Sequence, residues 1–348
     1  MESRFGPRSH TWSLLVLLVA LTVVLSVLAP NTFPTIANLQ SMAVQIAPLG
    51  LLALCIAITF LIGGIDLSCV NVANGSAVVA ALTMNALAPS FGTGGATVIG
   101  VLAGLLTGLA AGLLNGTVIA ILRVHPIPTT LGTSAVFLGI LTGVTGGSTV
   151  YGQGTLGAIS TTTVALLPLT FWVFLIAVAV LWVVTQRTQF GFRLYAIGES
   201  AKVARFGRTN VERDQIATYL ISGLLAATVG LLLFAGLNAA NVSFGSSYLT
   251  QALLIAVVAG MNPYGGSGRI SMVILAAIVA QELQTGLNMI LGGWSGAAFA
   301  SDFAWGVLLI AILGFSRWLA RRSVRRRRVE ATEDLAQAEP SHGASLNR

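Results

Sequence analysis

RTQFGFRLYAIGESAKVARFGRTNVERDQ, residues 187–215, carries six basic and three acidic side chains. Upstream, from Thr11 to Gln186, only Asp66 and Arg123 are charged. Downstream, from Ile216 to Ser316, only Arg269, Glu282 and Asp302 are. A charged island between apolar stretches of 176 and 101 residues reads as an aqueous loop between two membrane-embedded halves. Such a loop is either a solvated connector that sets orientation or a docking surface for a cytoplasmic partner.

Composition supports the membrane reading. Apolar residues make up 55% of the chain and charged residues 8%, with a mean hydropathy of +0.87. Soluble domains carry roughly a quarter charged residues. An all-α, polytopic helix bundle follows, with no room for a separate soluble catalytic domain. Cys55 and Cys69 lie in apolar surroundings with neither disulfide-framework nor metal-ligand spacing, and read as small buried hydrophobes. The net charge of +7 sits largely in the central loop and the C-terminal tail, which points to anionic headgroups and not to nucleic acid.

A window of about 20 residues is needed to cross the hydrocarbon core. On that basis the chain has about ten transmembrane helices, near 12–29, 41–62, 70–88, 97–122, 128–147, 166–186, 216–237, 251–262, 270–290 and 301–316. The first apolar run is longer than a signal-peptide core and reads as a retained span. Ten spans put both termini on the same side, and all 18 Lys and Arg residues then fall on it, which the positive-inside rule makes cytoplasmic. The organisation is a tail at 1–11, a transmembrane domain at 12–316 holding the loop at 187–215, and a basic, then disordered tail at 317–348. Within that last segment Trp318 and the arginines from Arg317 to Arg328 suit an interfacial anchor on anionic lipid.

The fourth span carries Gly100, Gly104, Gly108, Gly112 and Gly116, a glycine at every fourth position. These form one narrow stripe along a helix, against which another helix backbone can lie closely. Packing is the plain reading; a sliding surface for a moving helix is the sharper one.

The chain lacks the parts of an enzyme. Lys202 is the only lysine and stands in no G-x-x-x-x-G-K-[ST] phosphate loop. His10 and His342 lie in the tails and His125 in a turn, so no histidine cluster forms within the membrane. Two carboxylates stand in or near spans, Asp66 and Glu282, and such groups mark function by default. Asp66 follows Gly63-Gly64-Ile65, where a helix can break, and reads as a cap on the next helix. Glu282 sits in a polar patch with Gln281 and Gln284. With Asn115 and Asn288, these amides suit either a path for a neutral polyhydroxylated solute or hydrogen bonds between helices.

Several stretches resemble the permease subunits of bacterial ATP-binding-cassette importers for monosaccharides, the ribose-type branch. Gly63-Gly64-Ile65-Asp66-Leu67-Ser68 resembles that family's GGIDLS segment. Residues 112–123 and Thr130-Leu131-Gly132-Thr133 resemble its NG…R…TLGT stretch. Tyr195-Ala196-Ile197-Gly198 with Ala204-Arg205 is similar to its coupling loop, and Gly265-Gly266-Ser267-Gly268-Arg269 with Gly286-Leu287-Asn288 to its later segments. The likeness covers about residues 40–316.

The resemblance implies a two-permease pore in the inner membrane, formed with a second copy or a sister permease. A periplasmic or extracellular binding protein would feed it, and separate subunits would hydrolyse ATP with Mg, so that this chain holds no cofactor. The coupling residues would be Gly198, Glu199, Ala201, Lys202, Ala204, Arg205, Phe206 and Gly207. Alanines and Phe206 would enter a groove, charged side chains would meet its rim, and Gly198 and Gly207 would turn the chain at either end of a short helix. Two departures stand out. Family members commonly read Ser-Gly-Ile where this chain has Gly207-Arg208-Thr209, and a Tyr-Glu-Leu-Asp run is replaced by Tyr248-Leu249-Thr250-Gln251. The second suggests a branch nearer deoxyhexose or autoinducer-type sugar transport than ribose. A proton-coupled carrier using Asp66 and Glu282, or a passive channel, would need no structured docking helix.

Overall fold

The structure, a computed structural model, describes residues 7–152 and 156–292 together with positions 303, 305–307 and 310, with side chains from Thr11 onward. The expected tenth span at 301–316, the N-terminal residues before Pro7 and the arginine-rich tail lie outside or almost outside the described residues.

In lipid each backbone polar group must be satisfied inside its own segment, so long apolar runs become helices. Ten helices are described in residues 7–292: α1 (Pro7–Leu28), α2 (Ile36–Leu61), α3 (Cys69–Ile121), α4 (Pro126–Thr145), α5 (Gly157–Thr161), α6 (Leu169–Arg187), α7 (Gln189–Phe206), α8 (Val211–Leu237), α9 (Tyr248–Val258) and α10 (Met272–Leu291). Seven of these, all but α5, α7 and α9, are long and apolar enough to cross a membrane. This is a multi-pass membrane protein.

Each of the first nine expected spans coincides with a helix, with three differences. The third and fourth expected spans are the two arms of α3, joined without a loop at Gly92, whose φ of 68° reverses the chain. The eighth, expected at 251–262, is α9, which has only 11 residues and spans about 16 Å, too short to cross a bilayer alone. The charged loop is itself a helix, α7.

Helix α2 is the centre of the bundle. Every residue from Ala47 to Leu61 is buried, as expected of a helix that is apolar on all sides. Its start is capped by the Thr35 hydroxyl, which accepts the Asn38 N–H at 3.2 Å. Helix α8 lies along both arms of α3. Gly230 meets Ala73 on the first arm, while Gly108, Gly112 and Gly116 on the second meet Gly223, Tyr219 and Ile216. A methyl on Gly116 would stand 2.8 Å from the Ile216 Cα, and one on Gly104 2.9 Å from the Ser76 carbonyl oxygen. Gly100 backs onto Met84 and Ala80 of the other arm. The whole glycine stripe therefore sits where helix backbones come closest, and a side chain there would push them apart.

The helix ends fall into two groups. At one end Gly266 N–H donates to the Leu61 carbonyl (3.1 Å), Thr130 hydroxyl to the Ile65 carbonyl (3.1 Å) and Tyr195 hydroxyl to the Gly268 carbonyl (2.8 Å). At the other, Val150–Tyr151 pairs antiparallel with Ala239–Ala240, and Gln40 donates to the Leu166 carbonyl (3.1 Å). All Lys and Arg residues between Thr11 and Gly292 belong to segments of the first end: Arg123 after α3, those of the loop at 187–215, and Arg269.

Candidate functional site

Three polar caps shape the charged segment. Thr188 hydroxyl accepts the Gly191 N–H (3.3 Å) at the start of α7, and Asn210 Oδ1 accepts the Arg213 N–H (2.9 Å) at the start of α8. Between them Ser200 leaves helical geometry (φ −164°, ψ 107°) and its hydroxyl accepts the Val203 N–H at 3.3 Å. Helix α7 is thus two pieces, 189–199 and 201–206, with a bend at Ser200. Two ion pairs tie it to α8. Arg193 Nε donates to Asp214 Oδ2 at 2.7 Å with Nη2 on Oδ1 at 3.1 Å, and Arg205 Nη2 donates to Glu212 Oε1 at 2.6 Å. Asp214 is buried, so the forked Arg193 pair anchors; the Arg205 pair is solvated and contributes little. The hydrogen bonds to Asp214 hold the Arg193 guanidinium above its usual pKa, and burial raises the Tyr195 phenol, opposed by its hydrogen bond from Gln186 and by the charge of Arg269.

The second piece of α7 sorts the expected coupling residues. Phe206 is 81% exposed and Val203 67%, whereas Ala204 is 5% exposed. Glu199, Lys202, Arg205 and Gly207 are also exposed, with Gly198 and Ala201 half-buried. Two expectations change. Ala204 packs against its own chain, so the outward apolar side chains are Val203 and Phe206, with Phe192 on the first piece. Nor does Gly198 make a turn, although Gly207 caps the end of the helix with φ −76°. Gly198 lies inside the helix, and the left-handed residue after it is Arg208, with φ 58°. An L side chain there costs about 1–2 kcal/mol of backbone strain, partly offset by the freedom glycine gains when unfolded. Arg208→Gly should stabilise the protein by about 0.5–1 kcal/mol, seen as a higher thermal midpoint in detergent.

The break between α2 and α3 holds the other polar centre. Gly63, with φ 71°, ends α2, and Asp66 follows within the break, 2% exposed. Its Oδ1 accepts the N–H (3.0 Å) and hydroxyl (2.6 Å) of Ser68, the residue before α3, and Oδ2 accepts the Ser222 hydroxyl of α8 at 2.7 Å. The chain continues outward: Asn115 Nδ2 donates to Ser68 Oγ at 2.8 Å, and Thr133 hydroxyl to Asn115 Oδ1 at 2.6 Å. One carboxylate thus gathers α3, α4 and α8 around the end of α2. The Tyr219 hydroxyl, buried alongside Gly64, meets no hydrogen-bond partner among the described residues.

The described residues form a packed bundle with a charged helix at one end and no cluster of metal-ligating side chains. A family model for the permease component of branched-chain amino acid transport systems matches residues 38–313. The chain belongs to this permease family. It is an ABC-importer permease subunit and has no catalytic activity of its own. Among curated proteins, the permease is 32% identical to the ribose import permease of Bacillus subtilis (strain 168), over 78% of its length and 83% of the relative's. It is 28% identical to the autoinducer 2 import system permease of Yersinia pseudotuberculosis serotype O:1b (strain IP 31758), over 92% and 98%. No solved structure matches.

The remaining candidate residues of the permease stand elsewhere. On α10, Glu282 is 6% exposed and its Oε1 accepts the Thr22 hydroxyl of α1 at 2.8 Å, while Oε2 has no hydrogen-bond partner among the described residues. Gln281 Nε2 donates to Gln45 Oε1 of α2 at 3.1 Å and to Thr285 at 3.2 Å. Asn288 is exposed near the end of that helix. The structure therefore joins Asp66 to Asn115, and puts Gln281 and Glu282 in a second polar group on α1, α2 and α10. Ser68, Thr133 and Ser222 were not among the expected site residues. A lone hydroxyl in an apolar run gives no sign of its partner until the helices are assembled.

Proposed function

We propose that the chain is the membrane-spanning subunit of an importer for a monosaccharide or a small sugar-like molecule, ribose and autoinducer 2 being the substrates its relatives name. The observation that carries this reading is α7. Its outward apolar side chains Phe192, Val203 and Phe206 stand on a capped, doubly ion-paired helix outside the spans, which suits docking of a separate ATPase. The end that holds this helix also holds all described Lys and Arg residues from Arg123 to Arg269, which favours a cytoplasmic placement in the inner membrane. A binding protein at the opposite face and a second permease, identical or sister, complete the reading.

The substrate is read as neutral. Among the described residues the spans hold the buried amides and carboxylates of Asn115, Gln281, Asp66 and Glu282, groups that suit the hydroxyls of a neutral solute. The test is affinity purification of the tagged chain in mild detergent with mass spectrometry of its companions, followed by uptake of labelled ribose and autoinducer 2 by the reconstituted complex. A stoichiometric ATPase with uptake of one of the two is expected. A chain that purifies alone under several gentle conditions, with uptake driven by a proton gradient, would replace this reading by a secondary carrier.

A further inference from the structure

Three segments distant in sequence meet backbone to backbone at the charged end. They are the end of α2 (residues 61–64), Gly198 in α7, and the loop at 262–269. A side chain on Gly198 would collide with the Leu61 carbonyl oxygen and the Gly266 nitrogen. One on Gly265 would stand 2.8 Å from the Cα of Gly198 and from the nitrogen of Gly63, and one on Gly63 3.1 Å from the Tyr264 carbonyl oxygen. The contacts are bonded as well as close. Gly266 N–H donates to the Leu61 carbonyl (3.1 Å), Asn262 Nδ2 to the Gly265 carbonyl (2.8 Å), and Tyr195 hydroxyl to the Gly268 carbonyl (2.8 Å). Gln186 of α6 donates to that same tyrosine hydroxyl at 2.7 Å. Asp66, with its chain of hydrogen bonds, lies three residues beyond Gly63.

Side chains between two helices let them slide or tilt by changing rotamer. Backbones in direct contact have no such slack, so a displacement of one is passed to the next. The bend at Ser200 separates this contact from the exposed piece that carries Val203 and Phe206. We propose that Gly198, Gly63 and Gly265–Gly266 form a joint that passes motion of α7 into the break at residues 63–68 and so into α3, α4 and α8. Gly198 and Tyr195 are positioning residues in this scheme. They act behind the docking surface and are not part of it. The proposal rests on the reading of α7 as an ATPase-docking helix.

Hydrogen–deuterium exchange of the complete complex in nanodiscs tests it without a known substrate, comparing the nucleotide-free form with the Mg-ATP–vanadate-trapped form. In the wild type the ATPase should protect α7, and trapping should change exchange at residues 63–68 by about threefold or more. In Gly198→Ala the ATPase should co-purify and protect α7 as before, while the response at 63–68 disappears. Tyr195→Phe, which removes the hydrogen bonds to the Gly268 carbonyl and from Gln186 without added bulk, should keep the complex and weaken the response; it carries the test if Gly198→Ala does not reach the membrane. A wild-type-like response in the variant tested, or a wild type whose break ignores nucleotide, overturns the joint. Loss of the ATPase from Gly198→Ala also overturns it, since Gly198 would then belong to docking. A wild type with no ATPase on α7 overturns the docking reading itself, and is told apart by its unprotected α7.

Discussion

Val203→Asp combined with Phe206→Asp is expected to strip the ATPase from the permease while leaving the permease in the membrane. Both side chains are mostly exposed in the isolated chain, so replacing them disturbs none of its own packing. In a docked complex each would be buried, and full burial of a valine or phenylalanine is worth about 1.5–3 kcal/mol. Losing both and placing two carboxylates in the contact should weaken association by about a hundredfold or more. Co-purification of the ATPase at matched permease expression reads the result. Ala204→Asp is a poorer probe of docking, because Ala204 is already buried against its own chain and a charge there would damage the permease first. Undiminished co-purification of the double variant would move the docking surface away from the second piece of α7.

The second large effect is expected at Asp66. Asp66→Leu removes the acceptor for three donors, the Ser68 N–H and the hydroxyls of Ser68 and Ser222, in a site closed to water. A buried donor left unpaired costs about 1–3 kcal/mol, so the sum is several kcal/mol, a large part of the stability of most folded chains. The variant should be degraded, or should aggregate on detergent extraction, as followed by size-exclusion fluorescence. Asp66→Asn keeps one acceptor oxygen and the same shape, and should retain a monodisperse protein with much of its transport. If Asp66 instead carried protons, the asparagine variant would be well folded and inactive, with its loss confined to pH-dependent uptake. Comparing the two substitutions separates a structural hub from a proton relay.

The spans were legible because hydropathy acts over whole segments. Runs such as residues 41–62 and 216–237 can satisfy their backbones in lipid only as helices, whatever they pack against. The glycine stripe was also legible as a periodic feature of one helix, but its partner was not. That α8 meets it through Gly223, and that Gly230 of the same helix meets Ala73 on the opposite arm, depends on α3 reversing at Gly92. Boundaries inside continuous apolar sequence were the least legible. Pro89, Ser90, Gly92, Thr93, Gly94 and Gly95 mark a break between two spans, but not that the helices run on to a reversal at Gly92 with no loop between them.

The charged loop shows the same division at finer scale. Its composition set it outside the membrane, and Thr188, Ser200 and Asn210 are the kinds of residue that cap helices. Which of its side chains face outward was not readable. Ala204, Phe206 and Arg205 lie close together in sequence, yet one is buried, one is exposed and one is held by Glu212.

By itself, then, the sequence determined where the apolar segments lie, the polar segments on which the charges gather and the kind of machine the motifs resemble. These are one-dimensional properties, set by solvent preference and local order along the chain. Only the tertiary structure decided that Asp66 meets Ser222 across 156 positions of sequence, and that Gly198 lies against Leu61 and Gly266. Contacts of that kind follow from how helices cross, and crossing is set by every packed surface at once.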